Sequence, residues 1–155
     1  MGAEATLEKL GIILPEGAAP AALYVPYTAT DSTLYISGQL PLKEGKPLVT
    51  GKLGDTVTIE QGQAAARQCA INILAQARAG AGGNLDRIKR LLKLEILVSC
   101  VPDFSEPHVV ANGASQVMLD VFGPEIGSHA RVAYGVCTLP LNVAVEVAAT
   151  FDLAA

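Results

Sequence analysis

Two charged side chains lie in a stretch of sequence that otherwise favours a buried sheet. Residues 128–151 read SHARVAYGVCTLPLNVAVEVAATF and contain one arginine, Arg131, and one acidic residue, Glu146. An arginine can hold a carboxylate with two parallel hydrogen bonds, and a glutamate can accept a proton from water. A buried charge without a partner is costly. The two residues are therefore predicted either to serve a polar binding site or to pair with each other.

A second group of candidates lies earlier in the chain, around the segment YISGQLP. Ser37 and Gly38 end a predicted strand, where a hydroxyl and backbone N–H groups can bind an anion. Tyr27 precedes that strand and offers a ring and a hydroxyl. The structural alternatives are an ordinary turn for the first two residues and a core position for the tyrosine. His108 is predicted to lie on the surface and His129 in a solvated loop.

The composition limits the function classes that fit the chain. A net charge of −4 and a pI near 5.1 count against binding of nucleic acid, whose binders usually carry a basic face. No apolar run reaches the ~18 residues of a membrane helix, and the N-terminus lacks the features of a signal peptide. We therefore expect a cytoplasmic protein. Half of the residues are apolar and 17% are charged, which favours an oligomer.

The residues that usually hold metals and cofactors are too few or wrongly spaced. The chain has two histidines far apart and three cysteines without a CxxC spacing, so no metal site is predicted. The glycine-rich segment GAGGN follows a predicted helix, whereas a phosphate-binding loop precedes one. We expect no cofactor, and the cysteines are read as small buried hydrophobes in a reducing compartment. These cysteines are Cys69, Cys100 and Cys137.

The pattern of apolar residues predicts one domain, residues 1–155, whose first 20 residues form an extension with a short helix. Strands are predicted at 22–30, 33–41 and 90–99, with a loop over 41–55. One helix starts at the Thr58–Gln61 capping box and a second starts near Pro107 and ends at 122–124. Residues 128–151 give two more strands joined at Leu139 and Pro140. The predicted fold is α+β, with two helices covering one face of a single mixed sheet.

The last strand has two different faces. One carries only large or apolar side chains and should contact the helices: Val143, Val145, Val147, Ala149 and Phe151. The other carries small residues around one acid, which suits close packing of subunits: Ala144, Glu146, Ala148 and Thr150. This alternation predicts that Glu146 lies near a cleft between chains.

Three segments together resemble the Rid family of reactive-intermediate deaminases, also called the YjgF or L-PSP endoribonuclease family. They are YISGQLP, PDF before the second helix, and ARVAYGVCTLPLNVAVEV. The last is the specific one, because it has Arg131, then Leu139 and Pro140, then Glu146 at the family's spacing. The chain is similar to a less-studied branch, since the best-known branch has other residues at Ala29, Ala133 and His108.

The resemblance implies a chorismate-mutase-like subunit and a homotrimer with three clefts between subunits. It implies hydrolysis of enamines or imines to 2-oxo acids and ammonia without a cofactor. Arg131 would bind the carboxylate of a 2-imino or 2-oxo acid and Glu146 would position the water. Ser37 and Gly38 would line the site, and Tyr27 would close it. The resemblance does not identify the substrate.

Two other functions remain open at this point. A non-catalytic trimer that binds small carboxylates or partner proteins would also use Arg131, but it would not need Glu146 to hold water. The older family name asserts an endoribonuclease. The acidic balance and the lack of interleaved basic and aromatic residues count against that activity.

Overall fold

A computed structural model describes all residues from 1 to 155 and contains one five-stranded mixed sheet with helices on one face. The strands are β1 (Tyr27–Ala29), β2 (Thr33–Gln39), β3 (Leu42–Lys43), β4 (Lys46–Pro47), β5 (Ile88–Ser99), β6 (Ala130–Val136) and β7 (Val145–Leu153). The helices are α1 (Ala3–Leu10), α2 (Ile59–Gly80), α3 (Pro107–Val110) and α4 (Asn112–Gly127), with 3-10 turns at Leu85–Arg87 and Pro140–Asn142. The main sheet has the order β1-β2-β7-β5-β6, which confirms the predicted fold class.

The connections explain why the sheet is mixed. β5 and β6 run parallel, and α3 and α4 form the crossover between them. All other neighbouring strands of the sheet run antiparallel. The crossover places α4 beside α2 on the same face. Consequently, β6 is an edge strand whose first residues lie next to the start of α4.

Local signals in the sequence fix both long helices. The Thr58 side chain accepts from the Gln61 N–H at 3.2 Å, and the Gln61 side chain accepts from the Thr58 N–H at 2.9 Å, so the predicted capping box is present. The second helix buries the apolar residues that recur at helical spacing in its sequence, as expected for its inner face: Val110, Ala114, Val117, Met118 and Val121. It continues to Gly127 instead of ending at 122–124. Gly123 breaks it with φ 74° and ψ 172°, and Pro124 starts one more turn.

Two predictions for the first third of the chain were wrong. The strand predicted over 22–30 is limited to Tyr27–Ala29. Pro26, which cannot donate a backbone hydrogen bond, directly precedes it. The predicted loop 41–55 contains the β3–β4 hairpin. Glu44 and Gly45 form its turn with φ values of 53° and 78°, the left-handed pair that a tight hairpin turn requires.

The predicted alternation of β7 is confirmed from Val145 to Leu153. The prediction for Ala144 was wrong, because this residue precedes the strand and is fully buried in the core instead of lying on the open face. The residues assigned to the helix side are buried, and Glu146, Ala148 and Thr150 on the other face are partly accessible. The open face also carries two large aromatic side chains, Tyr35 and Tyr134, each about half exposed. None of the helices combines the length and the apolar character needed to cross a lipid bilayer.

Candidate active site

Arg131 lies at the start of β6, where three hydrogen bonds hold its guanidinium against the start of the crossover helices. Nη1 donates to Asn112 Oδ1 at 2.9 Å and to Ser115 Oγ at 3.2 Å. Nη2 donates to the His108 carbonyl oxygen at 3.0 Å. A guanidinium has five N–H donors. The Nε–H and one Nη2–H therefore remain, and a carboxylate can accept from such an adjacent pair.

His129 extends this hydrogen-bonded cluster beneath the arginine. Its Nδ1 lies 2.6 Å from the Gly127 carbonyl oxygen, and its Nε2 lies 3.0 Å from Ser115 Oγ. Because a carbonyl oxygen only accepts, Nδ1 carries a proton. The ring is half-buried, so the prediction of a solvated loop histidine was wrong. His129 orients Ser115, and Ser115 in turn contacts the arginine.

Glu146 occupies a different environment on β7. Its carboxylate is half-buried and makes no side-chain hydrogen bond and no ion pair. Burial raises the pKa of Glu146 above its ordinary value of 4.5. A carboxylate with a raised pKa is a stronger proton acceptor than one in water. Glu146 therefore has the properties of a general base.

Gly38 makes room for the Glu146 carboxylate. In the β2–β7 ladder, Ile36 pairs with Ala149 and Gln39 pairs with Val147, so one extra residue bulges out between them. A Cβ atom added to Gly38 would lie 2.8 Å from Glu146 Oε2. No other residue fits there without moving the carboxylate. The position of the Glu146 carboxylate thus depends on the glycine at position 38.

Ser37 and Tyr27 both make contacts within their own chain. The Ser37 hydroxyl donates to the Val25 carbonyl oxygen at 2.7 Å, and its N–H donates to the Pro26 carbonyl oxygen at 2.9 Å. Both donors are therefore engaged with the segment before β1. Tyr27 packs against the hydrophobic core, close to Gly80 at the end of α2. In one chain, neither residue offers a free group beside the carboxylate.

Arg131 and Glu146 lie on opposite faces of the sheet within one chain. Leu94 of β5 pairs with both Arg131 and Ala149, which places the arginine on the face of the buried leucine. Leu97 pairs with Glu146, three residues farther along β5, and side chains alternate between the faces. The two charges form no ion pair. The alternative in which they only neutralise each other inside one chain is not observed.

The residues that position the arginine were missed by sequence reasoning. The segment NGAS consists mainly of small residues, which favour close packing of helices, and Gly113 does approach the α2 backbone. Asn112 and Ser115 are three residues apart, and residues at that spacing share one face of a helix. That polar pair at the start of a helix was an available signal. Its target could not be known without the packing of α4 beside β6.

Comparison with known proteins decides the family. A family model described as "YjgF/chorismate_mutase-like, putative endoribonuclease" matches residues 4–152. The chain belongs to this family. The match covers nearly all of the main sheet and of the four helices, and it confirms the resemblance that the three sequence segments carried.

Individual relatives of this YjgF-like chain come from several organisms. It is 50% identical to Protein TCP17 of Trypanosoma cruzi over 149 residues, which cover 96% of this chain and 92% of TCP17. Atu1372 of Agrobacterium tumefaciens, a protein of unknown function, is 45% identical with a TM-score of 0.89; the match covers 97% of this chain and 92% of that one. A "putative endoribonuclease" from Shewanella oneidensis is 35% identical with a TM-score of 0.94, covering 99% and 100%.

Proposed function

We propose that the protein hydrolyses reactive enamines and imines of amino acids to 2-oxo acids and ammonia. The observation that carries the proposal is the guanidinium of Arg131, which three hydrogen bonds hold in place with one pair of N–H donors unused. Such a group binds a carboxylate with defined geometry. The substrates of this reaction carry a carboxylate next to the reacting carbon.

Glu146 supplies the second requirement of the reaction, a proton acceptor. The carbon of a protonated imine is already electrophilic, so attack by water needs orientation and a base but no cofactor. Water adds to the C=N carbon and gives up one proton to Glu146. Glu146 passes this proton to the nitrogen of the resulting carbinolamine. The C–N bond then breaks, the hydroxyl proton returns to Glu146 as the C=O bond forms, and ammonia leaves. Imine and water thus yield a 2-oxo acid and ammonia.

The complete site is proposed to form between two chains of a homotrimer. Within one chain the arginine and the glutamate lie on opposite faces of the sheet, so one substrate cannot contact both. The open face of the sheet carries exposed apolar side chains that a neighbouring copy would cover: Tyr35, Val132 and Tyr134. Arg131 would come from one subunit, and Glu146 with Gly38 from the next.

The decisive experiment mixes two inactive variants. Imines are generated in situ by an amino-acid oxidase, and release of ammonia is measured. Arg131→Lys and Glu146→Gln are each expected to be inactive, but co-expressed subunits should recover about a quarter of the wild-type rate. A random neighbouring pair has that probability of joining one intact arginine to one intact glutamate. The control mixes wild-type chains with the double variant.

The outcomes distinguish the composite site from its alternatives. No recovery in assemblies shown to contain both variants would place the two residues in one site of one chain, or in none. An inactive wild-type protein that still binds pyruvate through Arg131 would favour the non-catalytic module. Cleavage of RNA that survives in both variants would show a different activity at a different site.

A further inference from the structure

A separate cavity lies at the other end of β6. Its volume is about 570 Å³, within the range of pockets that hold small organic ligands. It lies between the end of β6, the residues after β5 and the chain before α2. The lining residues are Lys52, Cys100, Val101, Pro102, Phe104, Gly135, Val136 and Cys137.

One positive charge faces this cavity without an anionic partner. The Lys52 ammonium is half-buried and donates to Ser99 Oγ at 3.2 Å and to the Cys137 carbonyl oxygen, both of which are neutral acceptors. The three ion pairs of the molecule involve other residues. No acidic residue lines the cavity. An ammonium has three donors, so one donor and the charge remain for a bound anion.

The rest of the cavity is apolar and shaped by a glycine. Phe104, Val101 and Val136 supply hydrophobic walls. A Cβ atom added to Gly135 would lie 2.6 Å from Cys100 Sγ, so the thiol fills the space that a side chain would need. A ligand that fits these walls has an aromatic or branched apolar group at one end and an anionic group at the other.

The cavity is distinct from the Arg131 cluster. β6 has seven residues, begins at Ala130 and ends one residue before Cys137. At ~3.3 Å per residue, about 20 Å of extended chain separates Arg131 from Cys137. One small substrate cannot reach both the arginine and Lys52.

We propose that this cavity binds a small carboxylic acid, in its ionised form, that carries an aromatic or branched apolar group. Lys52 would contact the carboxylate, and Phe104 would pack against the apolar end. Such a molecule would be a second ligand of the protein, and the proposal does not depend on the chemistry at Arg131 and Glu146.

The two cysteines at the cavity provide a local reporter of binding. Cys137 is exposed and Cys100 is partly accessible, whereas Cys69 is fully buried in the core. Burial raises the pKa of the Cys100 thiol, so Cys137 is expected to react first with a disulfide reagent such as dithiobis(nitrobenzoic acid). Phenylacetate should slow this reaction in a saturable manner. The neutral analogue 2-phenylethanol should protect at least 10-fold less well, because a charge-assisted hydrogen bond is lost.

Matched variants assign the protection to a residue. Lys52→Met should weaken phenylacetate binding by roughly 10- to 100-fold, whereas Lys46→Met in the exposed β3–β4 hairpin should leave it unchanged. If Lys52→Met unfolds at a clearly lower temperature than the wild type, Phe104→Ala serves as a second variant, and it should also weaken phenylacetate binding. Equal protection in wild type and Lys52→Met, or protection that disappears only in Arg131→Lys, would overturn the proposal. Thiols that react only after the assembly dissociates would also overturn it, because a neighbouring copy would then cover the cavity.

Discussion

The two charged residues of the candidate site are held in opposite ways. The Arg131 guanidinium is fixed by three hydrogen bonds that it donates to residues of the crossover. Glu146 makes no hydrogen bond or ion pair and is defined only by the space that Gly38 leaves and by partial burial. One region therefore has fixed geometry and constant charge, whereas the other has an adjustable proton affinity.

This difference matches what each residue would do in imine hydrolysis. A group that binds a carboxylate gains from being rigid, because the substrate then loses less freedom in a fixed orientation. A general base must take up and release a proton, so strong hydrogen bonds to its charged form would lower its pKa and weaken it. Under the proposed function, the chain would separate substrate binding from proton transfer on the two faces of one sheet.

Glu146→Gln should have the largest effect on turnover. The amide keeps the size of the side chain but cannot accept the proton from water, so kcat should fall by roughly 10²- to 10⁴-fold. Binding of pyruvate, measured by calorimetry, should stay within about 2-fold, because Arg131 is unchanged.

The pH dependence gives an independent check of this role. Because burial raises the pKa of Glu146, the acid limb of kcat/KM in the wild type should lie above the ordinary value of 4.5 and be absent from the residual activity of the variant. A fully active variant, or one that no longer binds pyruvate, would remove Glu146 from the mechanism.

Arg131→Lys should have the second largest effect. Lysine keeps the charge but not the planar pair of N–H donors. If its three donors replaced those to Asn112, Ser115 and the His108 carbonyl, none would remain for a substrate. We expect kcat/KM to fall by about 10²-fold, with pyruvate binding weakened as well. The subunit fold should remain, which circular dichroism and light scattering can check. Near-normal turnover would show that the hydrogen-bonded cluster is only structural.

The sequence predicted those parts of the molecule that depend on local patterns. The capping box at Thr58, the alternation of β7 and the inner face of the second helix depend on spacing within one element, and all three are confirmed. The partners of Arg131 and the bulge at Gly38 depend on contacts between elements far apart in the chain. No local spacing encodes them, so the separation of the two charges became visible only in the fold.

Gly38→Ala should disturb the position of the Glu146 carboxylate and leave the Arg131 cluster unchanged. The added methyl group would meet the carboxylate at 2.8 Å, so either the side chain or the bulge must shift. We expect a loss of about 1–3 kcal/mol in the free energy of unfolding, measured by urea denaturation, and a lower kcat. Gly45→Ala in the β3–β4 turn, where φ is 78°, is a control for turnover: it should also lose stability, but it should keep its kcat because it lies away from the site. Unchanged stability and turnover in Gly38→Ala would show that the carboxylate has room to move.

Asn112→Ala should loosen the Arg131 region without removing a charge. The variant loses the 2.9 Å bond to Nη1, while Ser115 and the His108 carbonyl still hold the guanidinium. We expect KM for the imine to rise by roughly 3- to 10-fold, less than the full worth of a hydrogen bond to a charged group because two other bonds still hold the guanidinium. The value of kcat should change little. Gln116→Ala on the exposed side of α4 is the matched control. A fall in kcat with unchanged KM would instead assign Asn112 to the chemical step.

The smallest expected effect is the contribution of Glu146 to the pH dependence of stability. Its sign tests whether Glu146 is free while Arg131 is held rigidly. Burial raises the pKa of Glu146 in the folded chain above its unfolded value. Between those two values the folded chain binds more protons than the unfolded one, so this residue costs stability as the pH rises through that interval. Below the unfolded value both states are protonated and the cost is absent.

Glu146→Gln should therefore melt slightly higher than the wild type at neutral pH, and the difference should vanish as the pH falls below about 4. Thermal melts of both proteins from about pH 4 to about pH 8 measure it, with Glu44→Gln at the exposed hairpin turn as a control. A variant that melts lower at neutral pH would mean that an arginine contacts Glu146 directly across the subunit interface. Substrate and water would then have no space between the two groups, and the proposed division into a rigid binding region and a free base would fail.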